Sequence, residues 1–158
     1  MGVAASGKSS VGGALSQALD WTFYEGDDFH SAANKAKMAS GAPLTDADRR
    51  PWLESLSSVI GEVIRQDRHA VLACSALTAA YRDALVPANA PPGAVRFVFL
   101  NVPRAELEAR LTHRKHFFPA SLLDSQLETL ELPRDAVMVD GTRPIPEIVE
   151  SVRETLHV

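Results

Sequence analysis

Cysteine is almost absent from this chain, with Cys74 its only one. An internal disulfide and a multi-cysteine zinc site are thereby excluded, and a reducing, cytoplasmic compartment suits the protein. Long apolar runs are missing too. The longest, AVLAC (70–74) and FVFL (97–100), are strand-sized and far too short to span a bilayer. No basic region followed by an apolar run marks a secretory signal. Positive charge is not in excess either: the formal net charge is -4, which gives no hint of a nucleic-acid partner. Neither an internal repeat nor a low-complexity linker interrupts the sequence. What remains is globular material, 158 residues with 46% apolar content. That length most simply makes one domain, residues 1–158, which on folding buries roughly 68–70% of its unfolded surface.

Apolar periodicity divides the chain into alternating elements. Ser9–Asp20 carries Val11, Ala14, Leu15, Ala18 and Leu19 on one helical face. Gly12 and Gly13 weaken that helix but permit close approach to a sheet. Trp21–Tyr24 reads as a short strand and Asn34–Ser40 as a short helix. A longer helix is expected to begin near Asp48–Pro51, with proline tolerated in its first turn and Trp52 opening its apolar stripe. Further strands are expected at 70–74, 96–100 and 136–139. Helices are expected at Thr78–Val86, Glu106–Arg114, Ser121–Leu130 and Pro144–Leu156. Strands alternating with helices predict an α/β fold, a parallel sheet covered on both faces in three αβα layers.

The opening residues carry the first chemistry. Gly2-Val3-Ala4-Ala5-Ser6-Gly7-Lys8-Ser9 is a complete G-x-x-x-x-G-K-[ST] loop. Its glycines let backbone N–H groups converge on phosphate at a helix N-terminus. Lys8 can reach the outer phosphates of ATP, and the Ser9 hydroxyl can ligate Mg2+. MGVAAS also fits the N-myristoylation pattern, but acylating Gly2 would put a lipid where phosphate should sit. Such a loop normally leaves a buried strand, and no strand sequence stands before Gly2. The expectation is therefore two half-sheets facing a gap about one strand wide, with unpaired backbone on both edges and a weakened fold.

Asp27 follows the 21–24 strand at the sheet end where ligands collect. It is placed to orient or deprotonate an acceptor hydroxyl, or to hold magnesium through water. A turn carboxylate in Gly-Asp-Asp is an equal reading, and Asp28 is the weaker candidate. Cations that could meet an anionic acceptor are His30, Lys37, Arg49, Arg82, Arg110, Arg114 and His116, each equally readable as a surface side chain. His113, His116 and Cys74 lack metal-ligand spacing. Ser75 lacks the surroundings of a nucleophile.

Four stretches, GVAASGKS (2–9), GDDFHSAANKAKMASGAPLTDADRRPWL (26–53), CSALTAAYRD (74–83) and HRKHFFPASLLDSQLETLELP (113–133), make the chain resemble the gluconokinase family of shikimate-kinase-like P-loop kinases. They span most of its length. The resemblance implies phosphorylation of D-gluconate by ATP, with Mg2+, to 6-phospho-D-gluconate. It implies that Lys8 steadies the transferring phosphoryl group, Ser9 holds magnesium and Asp27 acts as base or orienter. His30, Arg49, Arg82 and His116 would lie on the gluconate side. Arg110 and Arg114 would neutralise phosphate charge from a lid at about 110–120. A homodimer is common in such families; neither nucleic acid nor membrane is implied as partner.

Two departures accompany the resemblance. His30-Ser31 replaces the usual His-Pro, which is expected to loosen one turn. Lys115 and His116 are adjacent where a glycine commonly separates them, which is expected to displace His116 or slow the lid. The competing readings are a kinase for another small sugar acid and a shortened, non-catalytic binding protein.

Overall fold

A computed structural model describes residues 1–112 and 120–158. Arg114 and His116, and with them most of the expected lid, lie outside the described residues. Helix α1 (Lys8–Leu19) leaves the glycine-rich loop and is followed by strand β1 (Thr22–Glu25), a 3-10 turn (Gly26–Phe29) and helix α2 (Ala32–Ala39). Then come α3 (Asp46–Arg65), β2 (Ala70–Ala73), α4 (Ala79–Leu85) and β3 (Val98–Asn101). The described chain closes with α5 (Arg104–Thr112), α6 (Ala120–Thr129), β4 (Val137–Asp140) and α7 (Ile145–Leu156).

Both strand pairings are parallel. Thr22 pairs with Ala70 and Glu25 with Ala73, while Val98 pairs with Val137 and Asn101 with Asp140. Alternation along the strands sorts side chains to two faces. Val71, Leu100 and Val139 join Val11 and Leu15 of α1 and Ile148, Val149 and Val152 of α7 in one cluster. Leu72 and Phe97 turn the other way, toward Trp52, Leu53 and Leu56 of α3 and Leu85 of α4. This is the expected three-layer α/β arrangement. Leu56, Leu107 and Val152 are fully buried, each contributing roughly 1.5–3 kcal/mol relative to exposure.

The sheet is divided. β1 and β2 form one two-stranded sheet, β3 and β4 another. Between β2 and β3 lies a cavity of about 950 Å3, walled by Val11, Leu15, Ile60, Val71, Leu72 and Phe97 among others. At one end the first two residues bridge it. Met1 N donates to Val98 O and Leu100 N donates to Met1 O, while Gly2 N donates across the gap to Ser75 O. Successive residues thus bond to opposite edges, the alternation of a strand lying parallel between two others. The division into two half-sheets is the one the sequence predicts. Burial, with the nearby Lys8 charge, brings the Met1 amine down to about 5.

Three local expectations need correction. α3 starts at Asp46, earlier than the Asp48–Pro51 expected, because Thr45 and Asp48 form a reciprocal capping box. Asp48 N donates to Thr45 Oγ1 (3.2 Å), and Thr45 N donates to Asp48 Oδ2 (2.7 Å). Pro51 therefore stands beyond the first turn. It and Ala47 lie on the exposed face, where water can take the carbonyl that proline leaves without an N–H. Of the two helix glycines, only Gly12 permits close approach: a Cβ there would lie 2.8 Å from the Phe23 ring, whereas none at Gly13 would meet anything within 4 Å. Ser31 does not loosen its turn. Its hydroxyl caps α2 by accepting from Asn34 N at 3.1 Å.

Candidate active site

The loop at residues 2–9 is built around left-handed backbone. Gly7 has φ 96°, Gly2 147° and Ala5 61°. Gly7 is the N-cap of α1, yet neither a side-chain cap nor an acidic residue occupies that first turn. The positive end of a 12-residue helix is therefore left for an external anion. Ser6 is 1% exposed, and its Oγ has no hydrogen-bond partner among the described residues. An orphaned buried hydroxyl, a glycine N-cap and an uncapped helix start fit a bound phosphate chain. Lys8 Nζ donates to Val3 O at 2.9 Å, folding back over its own loop, and Ser9 is exposed at the helix start.

Two distant side chains hold this loop. Gln126 of α6 accepts a 2.6 Å bond from Ala4 N. Arg110 of α5 lies across the loop, with Nη1 3.4 Å from Ala5 O and 3.5 Å from Ser6 O. Its Nη2 donates to Gly141 O (2.9 Å) and its Nε to Glu106 (2.9 Å). Arg110, expected in the lid, is thus already seated against the phosphate loop.

Asp27 sits in the 3-10 turn that ends β1, exposed at the sheet end nearest the loop. Gly26 makes that turn possible, because a Cβ there would fall 2.5 Å from Ala73 O. The Cys74 thiol senses both Lys8 and Asp27 electrostatically, and burial pushes it up to about 11. It stays protonated at neutral pH and is no nucleophile. Asp28 faces solvent, and its carbonyl accepts from Lys35 Nζ at 3.0 Å.

His30 is buried, stacked on Trp52 with ring centroids 4.3 Å apart and planes 13° from parallel. Trp52 Nε1 donates to Gly26 O at 2.7 Å, so one indole props both the histidine and the Asp27 turn. Burial first, then the nearby Lys35 and Arg49, hold the His30 pKa below its usual value against the pull of Asp27. Asn34 Nδ2 lies 3.5 Å from His30 Nδ1 and donates to Asp48 O at 2.8 Å.

Arg49 lies one turn before Trp52, against Tyr81 and Asp46. Lys37 is not open to solvent chemistry alone: Nζ pairs with Asp48 at 2.6 Å, holding that carboxyl down at about 2. Arg82 is largely structural in its bonding. Its Nη1 donates to the carbonyls of Ala76, Leu77 and Glu131 at 3.1–3.2 Å, and only its remaining nitrogens lack partners among the described residues.

The structure gathers Lys8, Asp27, His30 and Arg49 toward one end of the sheet, with Arg110 on the phosphate loop. Sequence reading missed Asn34, Asp46, Tyr81 and Gln126, and gave Trp52 a core role only. Thr45-x-x-Asp48 is a capping-box signal that would have placed α3 correctly. Nothing local signals Gln126, whose contact spans 122 residues of sequence.

Comparison with known proteins decides the lineage. A family model described as an AAA domain matches residues 1–133. The gluconokinase of Gluconobacter oxydans (strain 621H) is 44% identical over 153 residues, covering 94% of this chain and 84% of that protein. The thermoresistant gluconokinase of Escherichia coli (strain K12) is 38% identical over 161 residues, 99% of this chain and 90% of that one. The chain belongs to the gluconokinase family. The crystal structure of a gluconokinase from Sinorhizobium meliloti 1021 superposes with a TM-score of 0.85 at 46% identity, covering 99% and 89% of the two chains. Phosphotransferase activity with a nucleotide cofactor follows from membership in this kinase family.

Proposed function

We propose that this chain transfers the terminal phosphoryl group of ATP to the C6 hydroxyl of D-gluconate. The products are ADP and 6-phospho-D-gluconate. The observation that carries the reading is the placement of a phosphate loop, the Asp27 carboxylate and the Arg49 guanidinium toward one end of the sheet. That placement occurs in a chain whose relatives are named gluconokinases.

Lys8 and the N–H groups of residues 5–9 hold the phosphates, with Ser6 Oγ supplying a further polar contact. Ser9 would ligate Mg2+, whose bound charge would offset that of the phosphates. Asp27 receives the acceptor hydroxyl's hydrogen, which orients the oxygen in line with the phosphorus. The new O–P bond forms as the bond to ADP breaks, and the hydroxyl proton passes to Asp27 or water. Arg110 steadies charge spread over the transferring group. Arg114 and His116, outside the described residues, are assigned phosphate and gluconate contacts by family resemblance alone. His30 and Arg49 hold gluconate, with Arg82 assisting through the nitrogens it has left.

The test is a substrate panel with Mg-ATP. Product should form faster from gluconate than from shikimate, AMP or idonate. Background rates on all four, with turnover of another hydroxy acid, would reassign the substrate.

A further inference from the structure

The Arg49 guanidinium is engaged by two groups to which the family resemblance assigns no role. Its Nη1 donates to the Tyr81 hydroxyl at 3.1 Å and lies 3.4 Å from Asp46 Oδ1. The Tyr81 hydroxyl in turn donates to the same Asp46 oxygen at 2.5 Å. The guanidinium carbon also stands 5.4 Å from the centre of the Tyr81 ring, within cation–π range. One carboxylate oxygen therefore receives two donors, one charged and one neutral.

Burial is lopsided. The Arg49 side chain is 24% exposed and that of Asp46 is 84% exposed. Donors fixed by packing face a carboxylate that hangs in solvent at the start of α3. We infer that Arg49 and Tyr81 form a receptor for a substrate carboxylate, and that Asp46 occupies it until the substrate's own carboxylate displaces it. The inference rests on the gluconate reading and adds Tyr81 as a specificity residue and Asp46 as an internal stand-in.

The exchange swaps one carboxylate for another, so neither donor is left buried and unpaired. An uncharged polyol gains nothing from the receptor, because it must compete with a full negative charge. Tyr81 remains a donor throughout: burial, reinforced by its bond to Asp46, raises its pKa above the usual phenol value. His30 feels the charges of both Asp27 and Arg49. An acid held by its carboxylate at Arg49 would therefore have His30 and the Asp27 turn among its neighbouring polar groups.

Calorimetric titration of the full chain with gluconate and with sorbitol, its uncharged analogue, tests this. Tyr81→Phe should weaken gluconate binding about ten- to a hundredfold, as expected for loss of one hydrogen bond to a charged group. Asp46→Asn should tighten it about two- to fivefold, the range of an exposed ion pair removed from competition. Sorbitol should bind weakly to every variant, and Mg-ATP affinity should not change. A merely structural link between α3 and α4 would not give opposite signs at the two positions. Unchanged or weakened gluconate binding in Asp46→Asn, with Mg-ATP binding intact, overturns the inference. If Asp46→Asn loses Mg-ATP binding, Asp46→Ser takes its place under the same criterion. Gluconate binding without phosphoryl transfer sinks the kinase reading and leaves the receptor standing. Absence of gluconate binding by the unmodified chain overturns both.

Discussion

His30 lies flat on Trp52, and the same indole donates its N–H to Gly26 O at the turn that carries Asp27. Trp52→Phe keeps the stacking surface but leaves that carbonyl without its donor. We expect a loss of about 1–3 kcal/mol in stability, measured by denaturant unfolding. The rate of phosphoryl transfer should fall with it, since the Asp27 turn loses its anchor, while Mg-ATP affinity should hold.

We expect two separable acid-dependent losses of stability. The His30 pKa is lowered on folding, chiefly by burial, so the unfolded chain binds the extra proton. Its contribution is therefore intact above about pH 7 and is lost as pH falls below the ordinary histidine value of about 6.5. Asp48, held at about 2 by Lys37 and Thr45, acts lower. Its contribution is present above its ordinary value near 4 and disappears as pH falls toward 2. NMR titration should give His30 a midpoint below 6.5, and His30→Gln should flatten stability between pH 5 and 7. A His30 midpoint above 6.5 would contradict the buried, neutral ring.

Glycines at the two ends of the first turns of α1 should fail differently. Gly7 has φ 96° and open space around a would-be Cβ, the nearest atom being Arg110 Nη1 at 4.0 Å. Gly7→Ala should strain the loop by about 1–3 kcal/mol and abolish most Mg-ATP binding. Gly12→Ala instead drives a methyl to 2.8 Å from Phe23. It should cost about 1–3 kcal/mol by overpacking and leave nucleotide affinity nearly unchanged. Thermal melts with and without Mg-ATP separate the two.

Met1 and Gly2 bond to Val98 and Leu100 on one side and to Ser75 on the other, across the space between β2 and β3. A version carrying about five to eight Val/Ile/Leu-rich residues ahead of Met1 should fill it, bonding to both edges. We expect a cooperative melt at least about 5 °C higher, further raised by Mg-ATP, since each apolar side chain buried there contributes roughly 1.5–3 kcal/mol. An equal melting temperature and cooperativity in the unextended chain would show that the divided sheet needs no such strand.

Much of this architecture is legible in the residues. Leu107, Leu56 and Val152 recur at helical spacing, and strand runs such as AVLA have no polar face, so their elements follow from pattern alone. Even the gap follows, because a loop of this kind presupposes a strand before it. The site is only half legible. Lys8 and Asp27 stand at motif positions, but the props beneath them do not. Trp52 reads as core because its ring is apolar, and only packing brings it under His30. Tyr81 and Gln126 reach the site across 32 and 122 residues, a separation that leaves no local signature. The α3 start reads late for a different reason: Pro51 suggests a first-turn position, whereas the Thr45–Asp48 capping box starts the helix at Asp46.

In the proposed reaction Asp27 stands at the acceptor hydroxyl while a phosphoryl group passes from ATP to gluconate. The direct measurement is mass-spectrometric and 31P NMR analysis of full chain incubated with Mg-ATP and gluconate, beside Lys8→Ala and Asp27→Asn. We predict one ADP for each 6-phospho-D-gluconate formed, and a fall of at least about a hundredfold in each variant. ATP turnover with no phosphorylated gluconate, or full activity in Asp27→Asn, would contradict it.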